Sequence, residues 1–311
     1  MALLTRKRLI LAKTETTEGT DPVPTGSANA VLVRNLDIVP MQSDVVSRDL
    51  IRPYLGNYEQ LLANTRVQVT FEVELAGSGT AGTAPNYGAL LKACGLSETV
   101  VATTSVTYAP VSGSFSSCTI YMHNDGIRHI VTGARGTFEM SCQVGAIPTL
   151  KFTMTGVYNA PTDTALPSAT YTNQATPLVF KNGNTSSFSV YSYSGILQSF
   201  DFQMANSVIY RELVGGTKQV LITDRKPAGS CMIEAPSIAT KDFFSIGTGT
   251  TTGAVSFLHG TTAGNKVTFT ANQADISQPA YSDLNGIQML SLPLVFTPTT
   301  AGNDEMSLAF T

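Results

Sequence analysis

Between residues 66 and 75 the chain alternates without a break. Val67, Val69, Phe71, Val73 and Leu75 take one face, and Arg66, Gln68, Thr70, Glu72 and Glu74 the other. Successive side chains of a strand point to opposite sides, so this pattern predicts a strand with one buried face and one wet face. A β-branched run predicts a second strand over 28–39, ended by Pro40, and residues 5–12 predict a short edge strand. Between them, 14–27 is turn and breaker chemistry throughout, as in an arm that orders against a neighbour. Residues 41–64 form a polar, charged connection, with a helical turn expected near 58–63. A structureless connection of that length is usually functional.

Helical spacing stands out once, over 86–94, where Tyr87, Leu90, Leu91 and Cys94 share a face and Gly95 is placed to stop the helix. Farther on, Asn124-Asp125-Gly126 is a tight-turn signal joining strands at 119–123 and 127–143, and 146–158 adds another strand. Residues 159–177, rich in Pro, Thr, Ala and Ser, read as a connector. Beyond it, strands are predicted at 177–181, 187–193, 196–204, 219–223, 230–234, 255–258, 266–271, 286–296 and 307–310.

One stretch recurs. Phe200-Asp201-Phe202 repeats the pattern of Leu36-Asp37-Ile38, and Arg211-Glu212-Leu213-Val214 repeats Arg48-Asp49-Leu50-Ile51. One deleted residue reconciles the two copies, each a strand leading into a charged loop. Ile233-Glu234 also parallels Phe71-Glu72. No second copy of the helix is expected, so the later half reads as abridged.

Composition sharpens this picture. Only 13% of the 311 residues are charged and the net charge is −3. A surface so weakly charged suits burial against copies of itself. It also argues against a sequence-reading nucleic-acid binder, which needs a basic face, though not against a protein past which DNA slides. Cys94, Cys118, Cys142 and Cys231 are too widely spaced for a metal motif and read as reduced, packed thiols.

Candidate chemistry falls away on inspection. The loop Gly77-Ser-Gly-Thr-Ala-Gly-Thr83 lacks the Gly-Lys-Ser/Thr ending of a phosphate loop, and Gly77-Ser-Gly is no nucleophile elbow. His123, Asp125 and His129 are explained by the hairpin and its turn. Glu72 and Glu74 could supply a glycosidase pair, but the chain has no Trp on which a sugar would stack. No catalytic residue, cofactor or metal site is assigned. No run is long enough for a membrane span, and the N-terminal stretch lacks a signal-peptide core.

The order of parts resembles the major tail tube proteins of long-tailed, siphovirus-like bacteriophages. The resemblance lies in the opening from Arg6 through Thr14-Glu-Thr-Thr-Glu-Gly-Thr-Asp-Pro to Val31, the strand and charged loop to Asn64, the alternating strand, and Gly133-Ala-Arg-Gly-Thr-Phe-Glu-Met140. It covers the first half well and the remainder by pattern. It implies a β-sandwich whose strands join those of neighbours in a closed inner barrel, in rings that stack into a tube for DNA ejection. The loop after the second strand would grip the next ring, through Arg48, Asp49, Arg52, Tyr54, Tyr58 and Glu59, with Arg211 and Glu212 as the repeat's counterparts. Gln68, Thr70, Glu72 and Glu74 are candidates to face the lumen.

The expected fold is therefore mainly β: two tandem tail-tube-like sandwich or barrel domains, 1–160 and 177–311, joined by a linker at 161–176, with one short helix in the first. A single tube domain needs about half this length. Either six chains form each ring with an added outer domain, or three chains imitate six; the repeat favours the trimeric ring with pseudo-sixfold symmetry. The resemblance further implies a tape measure protein and a tail terminator as partners, DNA passing without sequence recognition, and assembly in the host cytoplasm into a virion tail. Alternatives are a tail terminator, a capsid decoration, or a β-rich carbohydrate-binding or hydrolytic module.

Overall fold

The computed structural model describes residues 2–311 and is dominated by antiparallel strands. The first part of the chain holds β1 (Arg8–Thr14), β2 (Ala30–Val31), β3 (Arg34–Val46), β4 (Leu61–Glu74), helix α1 (Gly88–Ala93), β5 (Leu96–Val101) and β6 (Ser105–Pro110). Strands β7 (Cys118–Asn124), β8 (Ile127–Gln143), β9 (Thr149–Tyr158) and β10 (Thr162–Asp163) follow. The later part holds β11 (Thr185–Val190), β12 (Leu197–Gln203), β13 (Asn206–Arg211), β14 (Gln219–Arg225), β15 (Ala228–Glu234) and helix α2 (Phe243–Thr248). It closes with β16 (Gly253–His259), β17 (Val267–Ile276), β18 (Ala280–Leu284), β19 (Ile287–Phe296) and β20 (Ser307–Phe310).

Eight strands pair edge to edge in the order β3-β4-β9-β8-β12-β15-β19-β18. A second layer runs β11-β16-β17-β20-β6-β5. Apolar faces of the two layers meet in one core, where Phe200 and Phe202 of β12 lie 4.9 and 5.3 Å from the Phe269 ring of β17. Alternation explains the sandwich, since each strand offers one apolar row inward and one polar row outward. Strand β20 is inserted between β17 and β6 and so ties the early part of the second layer to the late part.

A buried polar cluster fastens the arm between β1 and β2. The Glu15 carboxylate accepts hydrogen bonds from Ser117 and Thr119 hydroxyls at 2.6 Å and from the Gly133 and Gly19 amides at 2.7 and 2.8 Å. Arg135, buried on β8, holds Glu18 through two bonds of 2.9 Å, so the arm is ordered by its own chain as well. Residues 161–176 run along the early part of the fold: Thr164 N donates to Gly126 O, Thr170 N to Gly26 O and Ala175 N to Gly77 O.

Several local expectations change. Pro40 does not end β3; the strand continues to Val46 with its register slipping between Val39 and Gln42, because a residue without an N–H is tolerated at a bulge on an edge strand. The charged connection is therefore only 47–60, and strand, not a helical turn, begins at Leu61. A second helix exists, against the expectation of one. Asp242 caps it, its carboxylate accepting from Phe244 N at 3.1 Å and Ser245 N at 2.9 Å. Only Phe243 of it is buried, so it offers no apolar stripe for helical spacing to show, unlike α1 of the same length. Strands β5, β6, β10, β13 and β18 escaped the pattern reading as well, and 177–181, expected as a strand, is irregular. Finally, Ile233-Glu234 ends β15 as Val73-Glu74 ends β4, so the sequence parallel with Phe71-Glu72 was two residues out of register.

Candidate functional site

Across β4, β9, β8 and β12 the eight-stranded layer turns a polar face away from the core, and on β15 and β19 apolar residues such as Met232, Pro293 and Val295 join it. Gln68, Thr70, Glu72 and Glu74 of β4 lie on it together, as the alternation predicted. Register extends it across the neighbours: Glu72 stands opposite Lys151, which stands opposite Glu139, while Thr70, Thr153 and Thr137 form the adjoining row. From β8 the face passes to β12, where Ser141 Oγ donates to Asp201 Oδ1 at 2.8 Å. Pattern reading of one strand could not find Lys151, Glu139 or Asp201, because only strand pairing places them beside Glu72.

The face is acidic and neutral, with its cations paired. Arg34 Nε donates to Glu72 Oε2 at 2.8 Å, and Lys151 lies 3.5 Å from Glu139. Partial burial disfavours the Glu72 carboxylate, but hydrogen bonds from Asn35 and Arg34 and the charges of Arg34 and Lys151 outweigh it and hold its pKa below the ordinary value. A depressed carboxylate pKa contributes stability above the unfolded pKa, lost as pH falls through the folded one. Glu72→Gln should therefore lower the urea midpoint at neutral pH by a modest amount, under about 1 kcal/mol for so exposed a pair. The gap should close in acid; a difference unchanged across that titration would remove the ion pair as its cause.

The β3–β4 hairpin carries the second feature at its tip. Arg52 packs its guanidinium over Tyr58 at 4.1 Å and over Tyr54 at 4.7 Å, and donates to Asn57 O at 3.0 Å. Arg48 lies 3.5 Å from Glu59, and Asp49 accepts from Ser47 Oγ at 3.0 Å. All six tip residues named from sequence are thus gathered in residues 47–60. The cluster stiffens a loop on which the apolar side chains Ile51 and Leu55 are fully exposed. The counterpart tip, 212–218 between β13 and β14, is shorter. Glu212 there accepts from Tyr210 OH at 3.1 Å and meets Lys218 at 3.0 Å, whose hydrogen bond is the main reason its pKa falls below the ordinary value. Arg211 is exposed, and Leu213 and Val214 project beside it. Ile51, Leu213 and Val214 stand among the last letters of the recurring string, masked by the charges before them, whereas Leu55 lies outside it.

At the opposite end of the layer, a recess of ≈ 600 Å³ is lined by Val144, Phe180, Phe188, Ile196 and Leu197. It lies beside the β8–β9 turn, where Gly145 N donates to Phe180 O and Val144 N to Gln198 O.

Other titratable groups have local roles. Asp125 occupies the β7–β8 turn with a positive φ of 41° and accepts from Leu4 N at 2.7 Å. Burial keeps His123 and His129 below the ordinary imidazole pKa. The four cysteines are buried free thiols, and burial raises their pKa values. Among the described residues, no group of three or more His, Cys, Asp or Glu side chains could hold a metal ion, and no helix is long and apolar enough to cross a membrane.

Comparison with curated proteins gives no match. The family described as phage tail tube protein matches residues 5–298, nearly the full length. An antiparallel sandwich, a long polar face and exposed apolar hairpin tips are what a self-assembling wall unit requires, and the chain belongs to the phage tail tube protein family, a structural component of the virion tail.

Proposed function

We propose that three copies of this chain close into one ring of the tail tube, each contributing two tandem tube-like units, 1–160 and 177–311, so that three chains stand in for six. The observation carrying this reading is the β8–β12 junction. On one side of it β3, β4, β9 and β8 pair in that order; on the other β12, β15, β19 and β18 pair in the corresponding order, with the repeated hairpin leading each group. A helix follows each hairpin, α1 after β4 and α2 after β15. Two groups of four strands already share one ladder, so a single chain contains one of the junctions that a ring needs.

In this reading the polar face lines the channel. Its acidic and neutral rows pass DNA without holding it, since a basic wall would gather phosphates. The tape measure protein occupies the same channel during assembly in the host cytoplasm, and a tail terminator caps the last ring. The tips at 47–60 and 212–218 reach the next ring, and their apolar side chains suit the recess bounded by Val144, Phe180 and Ile196 at the far end of the layer. The test is the end-on view of assembled protein by electron microscopy together with the mass of one ring. Three chains with alternating unequal lobes are expected. Six chains per ring would overturn the trimer, and a species that stays monomeric at high concentration would overturn the tube.

A further inference from the structure

Both edges of the eight-stranded layer are unpaired: β3 has only β4 as partner, and β18 only β19. The internal β8–β12 ladder shows how such edges meet. Counterparts can be assigned strand by strand. The register slip between Arg34 and Asp37 of β3 recurs between Leu197 and Ser199 of β12. Beyond it, Asp37 stands opposite Thr70 as Asp201 stands opposite Ser230, so Asp37 and Ile38 take the places of Asp201 and Phe202. Val73 pairs with Leu150, itself opposite Met140; Ile233 pairs with Leu290, itself opposite Tyr281. Tyr281 and Ser282 therefore take the places of Met140 and Ser141.

Resting on the ring reading above, we infer that β18 of one copy docks antiparallel on β3 of the next in the register of the internal ladder, with Tyr281 opposite Ile38, Ser282 opposite Asp37 and Asp283 opposite Leu36. The chemistry agrees at Ser282 and Tyr281, whereas Asp283 sets a carboxylate where the internal ladder has the buried Cys142. Ser141 donates to Asp201 across the internal junction at 2.8 Å, and the same two residue types, Ser282 and Asp37, meet across the new one. Phe200 and Phe202 are fully buried on β12, whereas Leu36 and Ile38 in the same places are only half-covered. Tyr281, 54% exposed, is the side chain brought over Ile38, and its ring already leans on Phe244 at 5.2 Å. An exposed apolar row on an open edge is what a partner strand removes from water.

The ends of the ladder agree too. Met204 donates its N–H to Phe138 O at 3.0 Å, the last bond of the internal junction. At the corresponding places stand Pro40 and Pro279, so the new ladder stops one rung sooner, with proline confined to its end. In the single chain the Arg8 guanidinium donates to Leu36 O at 3.0 Å. That carbonyl keeps a second lone pair for an incoming amide.

The register is testable by cross-linking. Backbone bonds at Met204–Phe138 and Val144–Gln198 place Asp201 and Ser141 at a non-hydrogen-bonded pair, so Asp37 and Ser282 would also be one. Cα atoms there are about 4.5 Å apart, within disulfide range. The full-length chain is made as two single variants, Asp37→Cys and Ser282→Cys, both at surface positions, while the native thiols are buried and give no background. Mixed and oxidised, they should yield a covalent dimer containing one chain of each kind, absent from either variant alone. Val39→Cys mixed with Ser282→Cys should give at most a small fraction of that product. Rings visible in the mixture with no Asp37–Ser282 cross-link, or with a stronger Val39–Ser282 one, would overturn the register while leaving the tube reading intact. Failure of the unsubstituted chain to form rings at all would overturn both.

Discussion

Replacing Phe310 with alanine is expected to cost about 3–5 kcal/mol of folding stability, a large share of the roughly 5–15 kcal/mol of an ordinary domain. Phe310 is buried on β20, edge-on to Tyr108 at 5.7 Å and to Tyr87 at 6.1 Å. Its backbone stands opposite Val106 of β6 on one side and Val267 of β17 on the other. The truncation thus opens a cavity and loosens the one strand that joins the two parts of the second layer. The unfolding midpoint in urea measures it. A change below about 1 kcal/mol would mean that β20 is not the clasp the pairing suggests.

The paired substitution Ile51→Asp with Leu55→Asp is expected to abolish tubes while leaving folded rings. Neither side chain touches the core, so thermal unfolding of the subunit should hardly move. If each apolar side chain loses about 1.5–3 kcal/mol of burial, the three long tips of the proposed three-chain ring would lose on the order of 10 kcal/mol per ring contact, before the cost of desolvating the new charges. Tube length in negative stain is the readout. Tubes of normal length from this variant would show that the long tip does not bind the next ring.

The sheet's main strands were legible because burial on one face imposes alternation: residues 66–75 predict both the strand and the face that carries Gln68 to Glu74. The recurring string lies on two hairpins, β3–β4 and β12–β15, and in both its Arg-acid pair stands at or beside the tip. What the sequence hid depends on pairing. Lys151 and Glu139 join the polar face only through the register of β9 and β8. Strand β18, with no buried residue, has no alternation to read. Pro40 misled because its usual meaning, the end of a strand, holds for interior strands, and β3 is an edge.

In the three-chain ring proposed above, the unequal tips would set the rotation between successive rings. Six identical tips would let an incoming ring settle at any of six azimuths, all equally good. A ring that alternates the long tip at 47–60 with the short one at 212–218 accepts its neighbour at three, because the other three set a long tip where a short one fits. In that proposed ring the angular relation between successive rings would be fixed by steric phase, and a tube of many rings would keep one helical pitch along its whole length with no ruler for rotation.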